Sequence, residues 1–286
     1  MKRLFQLLAG WPLPLLHLAG AAVGWLAFLL SPTYRRRFLA NATQAGYRFA
    51  QVRRAVAEGG KLVLETPRLW FGAPVPVQWD GAELIAALRA QGRGIVFLTP
   101  HLGCFEVTAQ AYAERFGRIT VLYRPARKAW LRDLVDRSRN RAQLAAVPAT
   151  LAGVRQMMRA LRRGEAVGLL PDQVPPDGMG VWAPFFGKPA YTMTLAARLA
   201  DQTGAVLLLA WGERLAQGSG YVVHLSPCPA MPADAAQAES AAAINLAMEG
   251  LIRQRPQQYL WGYDRYKTPR TLRTDPIEAS AAGQKD

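Results

Sequence analysis

Between residues 4 and 30 the chain carries no Asp, Glu, Lys or Arg, a longer apolar run than the roughly 20 residues a helix needs to cross a bilayer. Pro12 and Pro14 break the first half of that run, so the regular helical portion is predicted over 15–30. Arg35, Arg36 and Arg37 follow at once, with Arg48, Arg53 and Arg54 beyond them. A cleaved leader normally has a shorter apolar stretch, so 1–31 reads as a retained membrane anchor, with an upright, a tilted and a partly interfacial helix all open. The positive-inside tendency then puts the rest of the chain in the cytoplasm. The same arginines suit either anionic headgroups or an ordinary solvated helix face.

After Pro74 the pattern changes to short apolar runs alternating with amphipathic stretches. Strands are predicted over 95–99, 119–123, 166–170, 206–211 and 221–225, and helices over 82–91, 105–116, 130–139, 152–163 and 193–202. That alternation is the mark of an α/β domain, with a mainly parallel sheet flanked by helices. The Ala-rich stretch 233–247 reads as a further helix, and the polar, small-residue tail 271–286 as disordered. Between them, 171–189 reads as a long loop holding Pro171, Pro175, Pro176 and Pro184 together with Trp182, Phe185 and Phe186. Ordered loops of that length tend to carry function, although core packing is the commoner fate of such aromatics.

Composition narrows the partners. The chain of 286 residues is 51% hydrophobic and 19% charged, which disfavours disorder. Thirty-five Lys and Arg against 20 Asp and Glu leave a net charge of +15, pointing to nucleic acid, an anionic membrane face or a phosphorylated substrate. A nucleic-acid partner has only this charge in its favour, since neither a recognition helix nor an aromatic-basic RNA motif is present. Two isolated cysteines, Cys104 and Cys228, support neither a disulfide framework nor a structural zinc site.

The candidate chemistry sits where the 95–99 strand ends. His101 follows that strand and Glu106 follows five residues later in the helix behind it. Ligands in parallel α/β sheets bind outside the carboxyl ends of the strands. A carboxylate reaching back from the first turns of that helix would fix one imidazole nitrogen and leave the other to take a proton from a hydroxyl. The spacing equally fits a helix-start histidine beside an acid that suits the helix dipole. Cys104 is a second candidate nucleophile. No Gly-x-Ser-x-Gly elbow exists, His17 and His224 read as structural, and the local spacings offer no metal site.

The motifs, taken together, resemble those of the bacterial lipid A biosynthesis acyltransferases, within the wider lysophospholipid acyltransferase superfamily. They run in order as His101-Leu-Gly-Cys-Phe-Glu106, Tyr123-Arg124-Pro125, Leu170-Pro171-Asp172-Gln173, Pro184-Phe185-Phe186-Gly187 and Gln258-Tyr259-Leu260-Trp261, covering nearly the whole chain. The resemblance implies a catalytic domain over 32–270 that moves a fatty acyl group from acyl carrier protein to a hydroxyl of a lipid A precursor at the cytoplasmic side of the bacterial inner membrane. It implies His101 as general base oriented by Glu106, with no metal or organic cofactor and no nucleic acid. Arg124 and Arg139, the latter with Arg137 and Arg141 as close alternatives, would bind acceptor phosphates or carboxylates, since guanidinium matches such anions bidentately. Asp172 and Gln173 would shape the site, and Phe185 and Phe186 would line the acyl or lipid channel. A different lipid acceptor, a lysophospholipid or an amino-acid lipid, stays open, because Gly262 to Asp264 departs from the basic stretch expected of the family there.

Overall fold

The structure, a computed structural model, describes residues 2–123, 143–230 and 235–269. The apolar N-terminal run forms two helices, α1 (Lys2–Ala9) and α2 (Leu13–Leu30). Pro12 caps α2 and Pro14 lies in its first turn, where a missing backbone N–H costs nothing. Ser31 ends α2 and starts α3 (Pro32–Gln44), its Oγ accepting from the Tyr34 amide at 3.3 Å. Two more helices follow, α4 (Phe49–Val52) and α5 (Arg54–Phe71).

The sequence pattern predicts no helix over α5, whose interior holds Gly59, Gly60 and Pro67. Its neighbour explains at least one of these breakers. A Cβ on Gly60 would collide with the Gly20 carbonyl and the Gly24 amide of α2, and a Cβ on Gly24 would collide with the Val56 carbonyl. The two helices therefore touch backbone to backbone, and glycine is present for that approach.

The body begins with β1 (Val77–Asp80), α6 (Ala82–Ala90), β2 (Ile95–Leu98), α7 (Phe105–Arg115) and β3 (Ile119–Tyr123). It continues through β4 (Leu144–Pro148), α8 (Leu151–Arg162), β5 (Ala166–Leu169), β6 (Gly180–Phe185), β7 (Lys188–Met193) and α9 (Leu195–Thr203). The strands β8 (Val206–Arg214) and β9 (Tyr221–Pro227) and the helix α10 (Gln237–Gln254) complete it. Seven strands form one sheet in the order β1-β9-β8-β2-β5-β3-β4. Every neighbouring pair is parallel except β8 with β9, so the expected α/β class with a mostly parallel sheet holds.

Successive residues of β2 face opposite layers, as the two-residue period of a strand requires. Ile95 and Phe97 enter a core with Ile85 of α6 and Val107 and Ala111 of α7. Val96 and Leu98 enter the opposite core with Met157 of α8, Leu199 of α9 and Ile244 and Met248 of α10.

The body too departs from the sequence expectations. The edge strands β1 and β4 were not predicted, being only half buried. The expected 171–189 loop contains β6 and runs into β7, an antiparallel hairpin. Its turn is Phe186-Gly187, both at positive φ (47° and 74°), the conformation that two-residue hairpins favour. Pro184 and Pro189 face each other across it, on a two-stranded ribbon where a missing donor is tolerated. Because β7 extends to Met193, the helix predicted from 193 begins at Leu195, and the Ala-rich helix runs over Gln237–Gln254. The predicted helix 130–139 and the tail 271–286 lie outside the described residues.

Candidate active site

His101 stands three residues beyond the end of β2, and Asp172 and Gln173 stand just beyond the end of the neighbouring parallel strand β5. Adjacent parallel strands thus deliver all three to one end of the sheet, the end where ligands bind in such folds. The backbone around His101 is pinned on several sides. The Leu260 amide donates to the His101 carbonyl (3.1 Å), the Gly103 amide to the Gln258 carbonyl (3.0 Å) and the Cys104 amide to the Gly212 carbonyl of β8 (2.8 Å). Gly103 adopts a φ of +60°, and a Cβ there would collide with the Gly212 carbonyl. Any other residue would push this loop, and His101 with it, away from the sheet.

Asp172 is 1% exposed. Its Oδ2 accepts from the His101 backbone N–H at 2.8 Å, and its Oδ1 lies 2.7 Å from His101 Nδ1. Burial alone would push the Asp172 carboxyl up, but the facing His101 with its two hydrogen bonds, and then Arg265, outweigh burial and hold it below the usual carboxylate range. A carboxylate at Nδ1 selects the imidazole tautomer that donates from Nδ1. Gln173 Nε2 lies 2.8 Å from His101 Nε2. An amide N–H can only donate, so Nε2 accepts, which is the state a general base requires.

The carboxylate at Nδ1 is therefore Asp172, in the position the sequence expectation gave to Glu106. Glu106 lies in the first turn of α7, and its Oε2 accepts from the Trp70 indole N–H at 3.2 Å. It lines an apolar cavity between α7 and the sheet, walled by Phe97, Phe105, Tyr112, Val121 and Leu169. His101 lines a second, adjoining cavity with Asp172, Gln173, Tyr34, Tyr259 and Tyr263. Phe105 links the two, since its ring also packs edge-on against His101 at 4.7 Å. Gly262 borders the second cavity because a Cβ there would meet the Tyr34 ring, which gives the departure at 262 a steric reason.

Phe185 and Phe186 are buried in the core, 2% and 6% exposed, and line neither cavity. Phe186 packs against Trp261, and the Arg265 guanidinium lies over the Phe185 ring at 5.0 Å. Arg124 and Arg139 lie outside the described residues. Among the described residues no cluster of three or more His, Cys, Asp or Glu side chains forms a metal-ligand set. The tyrosines of the second cavity and Trp70 were missed by sequence reasoning. Tyr259, within Gln258-Tyr-Leu-Trp261, and Tyr263, within the aromatic and basic segment 261–267, had a signal there; Tyr34 and Trp70 had none.

A histidine with Nδ1 fixed by a carboxylate and Nε2 kept as an acceptor by the Gln173 amide, beside an apolar cavity, fits acyl transfer to an alcohol. The family description "Bacterial lipid A biosynthesis acyltransferase" matches residues 4–268. The chain belongs to this family. As a lipid A biosynthesis acyltransferase it is a transferase, and its relatives carry matching names. It is 30% identical over 218 residues to a lipid A biosynthesis lauroyltransferase of Escherichia coli (strain K12), covering 73% of this chain and 69% of that one. It is 28% identical over 215 residues to the palmitoleoyltransferase of the same organism, with the same coverage. A lipid A biosynthesis acyltransferase of Haemophilus influenzae is 26% identical over 274 residues, 90% of this chain and 86% of that one.

Proposed function

We propose that this acyltransferase moves a fatty acyl group from acyl carrier protein onto a hydroxyl of a lipid A precursor, with His101 as the base. The observation that carries the reading is the Asp172–His101–Gln173 chain, which leaves Nε2 as an acceptor. The acceptor hydroxyl takes the place of the Gln173 amide and gives its proton to Nε2 as its oxygen attacks the thioester carbonyl. An O–C bond forms, the C–S bond breaks, and the departing thiolate recovers the proton from Nε2. No covalent acyl-enzyme is needed. Asp172 keeps the tautomer and faces the imidazolium as it forms. Glu106, in the first turn of α7 behind His101, adds a second negative charge on that side of the site, which favours the same imidazolium. Arg124, directly after β3, and Arg139 hold the acceptor's phosphates. Phe185 and Phe186 support the site from the core through Trp261 and Arg265.

Transfer from a labelled acyl carrier protein to a tetra-acylated lipid A precursor in detergent tests this. His101→Ala is expected to lose about 10²–10⁴-fold in rate with its melting temperature kept. A fully active His101→Ala overturns the mechanism, and an inactive wild type overturns the acceptor.

The apolar cavity beside Phe105 receives the acyl chain. Gly168 of β5 lies in its wall, where a Cβ would come 3.2 Å from Val121. Gly168→Val is expected to shift preference towards shorter acyl groups, read by competition between acyl carrier proteins of different chain length. An unchanged preference places the chain elsewhere. The enzyme works at the cytoplasmic face of the inner membrane, attached through α1 and α2; the apolarity of α2 supports that reading.

A further inference from the structure

Helix α2 passes a simple test for a membrane span, with 18 residues of mean hydropathy 1.9. Its packing argues otherwise. Leu13, Leu16, His17, Gly20, Gly24 and Phe28 are buried on one face, at the three- and four-residue spacing of a single helical stripe. From Leu13 to Gly24 that stripe lies on α5, in the opposite chain direction, and Phe28 packs on Phe38 of α3 and Phe49 of α4. Gly24 meets Val56, Gly20 meets Gly60 and Lys61, and His17 Nε2 bonds Glu65 Oε2 at 2.8 Å. The Arg68 guanidinium reaches the Ala9 carbonyl just before α2 at 3.3 Å.

The helix beneath α2 is charged along the same length. Arg54, Glu58, Lys61, Glu65 and Arg68 all belong to α5. Were α2 to cross a bilayer as packed here, α5 would enter the hydrocarbon beside it with these five groups, each costly there. Detaching α2 instead would strip His17 of its carboxylate partner and open the glycine contact.

The opposite face of α2 is apolar and bare. Leu15, Leu18, Leu26, Leu29 and Leu30 are all more than half exposed, and Leu4 and Leu7 of α1 are exposed as well. Positive charge gathers at its end. Exposed Arg48, Arg53 and Arg54 surround Phe49, whose ring stacks on Phe28 of α2, and exposed Arg36 lies in the first half of α3. An apolar stripe bordered by arginines matches the acyl boundary and the phosphates of an anionic leaflet.

We propose that α1 and α2 lie in the plane of the membrane surface, docked on α5, with their leucine face in the interface of an anionic bilayer and no segment of 1–31 crossing it. This rests on the membrane attachment proposed above and specifies its geometry. Two measurements on the full-length chain test it. Epitopes at the N- and C-termini are exposed to protease in spheroplasts and in inverted inner-membrane vesicles. Cleavage of both on the same face is expected, and opposite faces overturn the in-plane helix while leaving attachment standing.

The second measurement floats the purified chain with phosphatidylglycerol–phosphatidylethanolamine vesicles or with phosphatidylcholine alone. Binding is expected to favour the anionic vesicles and to fall at least about tenfold in the Leu18→Glu/Leu26→Glu double variant, with an unchanged melting temperature, since both positions are solvent-facing. A double variant that binds like wild type removes the leucine face from the contact. A wild type that binds neither vesicle, or that buries the face by self-association, overturns the lipid occupant and the attachment together.

Discussion

Replacing Asp172 by asparagine is expected to slow acyl transfer by about 10²–10⁴-fold, the range removal of general-base help spans, with a much smaller change in KM. The carboxylate accepts twice from one residue, from the His101 backbone N–H and from Nδ1. An asparagine oxygen satisfies only one of these. Its amide nitrogen then faces either a backbone N–H, which repels it, or Nδ1, which it forces to accept. In the second case the ring proton moves to Nε2 and the base is lost. The carboxyl is held below its usual range by His101 and Arg265 against the opposing effect of burial. Asp172 therefore stays ionised throughout the neutral range, and the wild-type pH profile should show no limb from its titration there. The comparison that decides its role is Glu106→Gln in the same assay. Glu106 bonds Trp70 and faces the apolar cavity, so its loss should be the smaller of the two. An Asp172→Asn enzyme as fast as wild type, beside a dead Glu106→Gln, would return the orienting role to Glu106.

The two carboxylates also show what the sequence can and cannot carry. Periodicity in the 95–123 region predicts β2, α7 and β3 closely, and the strand-end position marks His101, because these are local features. The partner of Nδ1 is not local. It comes from 71 residues away, just beyond a strand whose adjacency to β2 depends on the order of the whole sheet, so proximity in sequence favoured Glu106. The hairpin β6–β7 was hidden for a different reason. Its prolines and glycines read as loop chemistry, while the feature that makes it a hairpin is a φ of 47° at Phe186, which no apolar pattern encodes. Helix α5 was hidden by Gly59, Gly60 and Pro67, and Gly60 has its reason in α2, about 40 positions earlier. Residues chosen for a distant neighbour contradict their own segment's propensity, and that contradiction is the only trace such contacts leave in one sequence.

Removing the Glu65 side chain is expected to destabilise the fold by about 3–5 kcal/mol, the cost of breaking a buried ion pair from one side. Glu65 has no exposed surface. It accepts from His17 Nε2 (2.8 Å), Arg214 Nε (2.8 Å) and the Tyr221 hydroxyl (2.9 Å), and it also pairs with Arg214 Nη2. Glu65→Ala leaves the buried Arg214 guanidinium with Glu58 and the Gly103 carbonyl. Because Gly103 sets the His101 loop and the Arg214 backbone is bonded both ways to Gln258, the defect reaches the candidate site and activity should fall with stability. The pH dependence has a definite sign. Burial pushes the Glu65 carboxyl up, but the Arg214 charge and hydrogen bonds, then His17, pull it down from 4.5 to about 2. A carboxyl lower in the folded than in the unfolded chain contributes its stability above the unfolded value and loses it as pH falls through the folded one. Urea midpoints of the wild type should therefore decline between about pH 4.5 and 2 more steeply than those of Glu65→Ala, which lacks the group. Glu65→Gln, which keeps the volume and one acceptor oxygen, should lie between the two in midpoint while sharing the flatter pH slope. Parallel slopes for all three chains would mean that another carboxylate governs acid stability, and an unchanged midpoint in Glu65→Ala would mean that the fold does not depend on this buried ion pair.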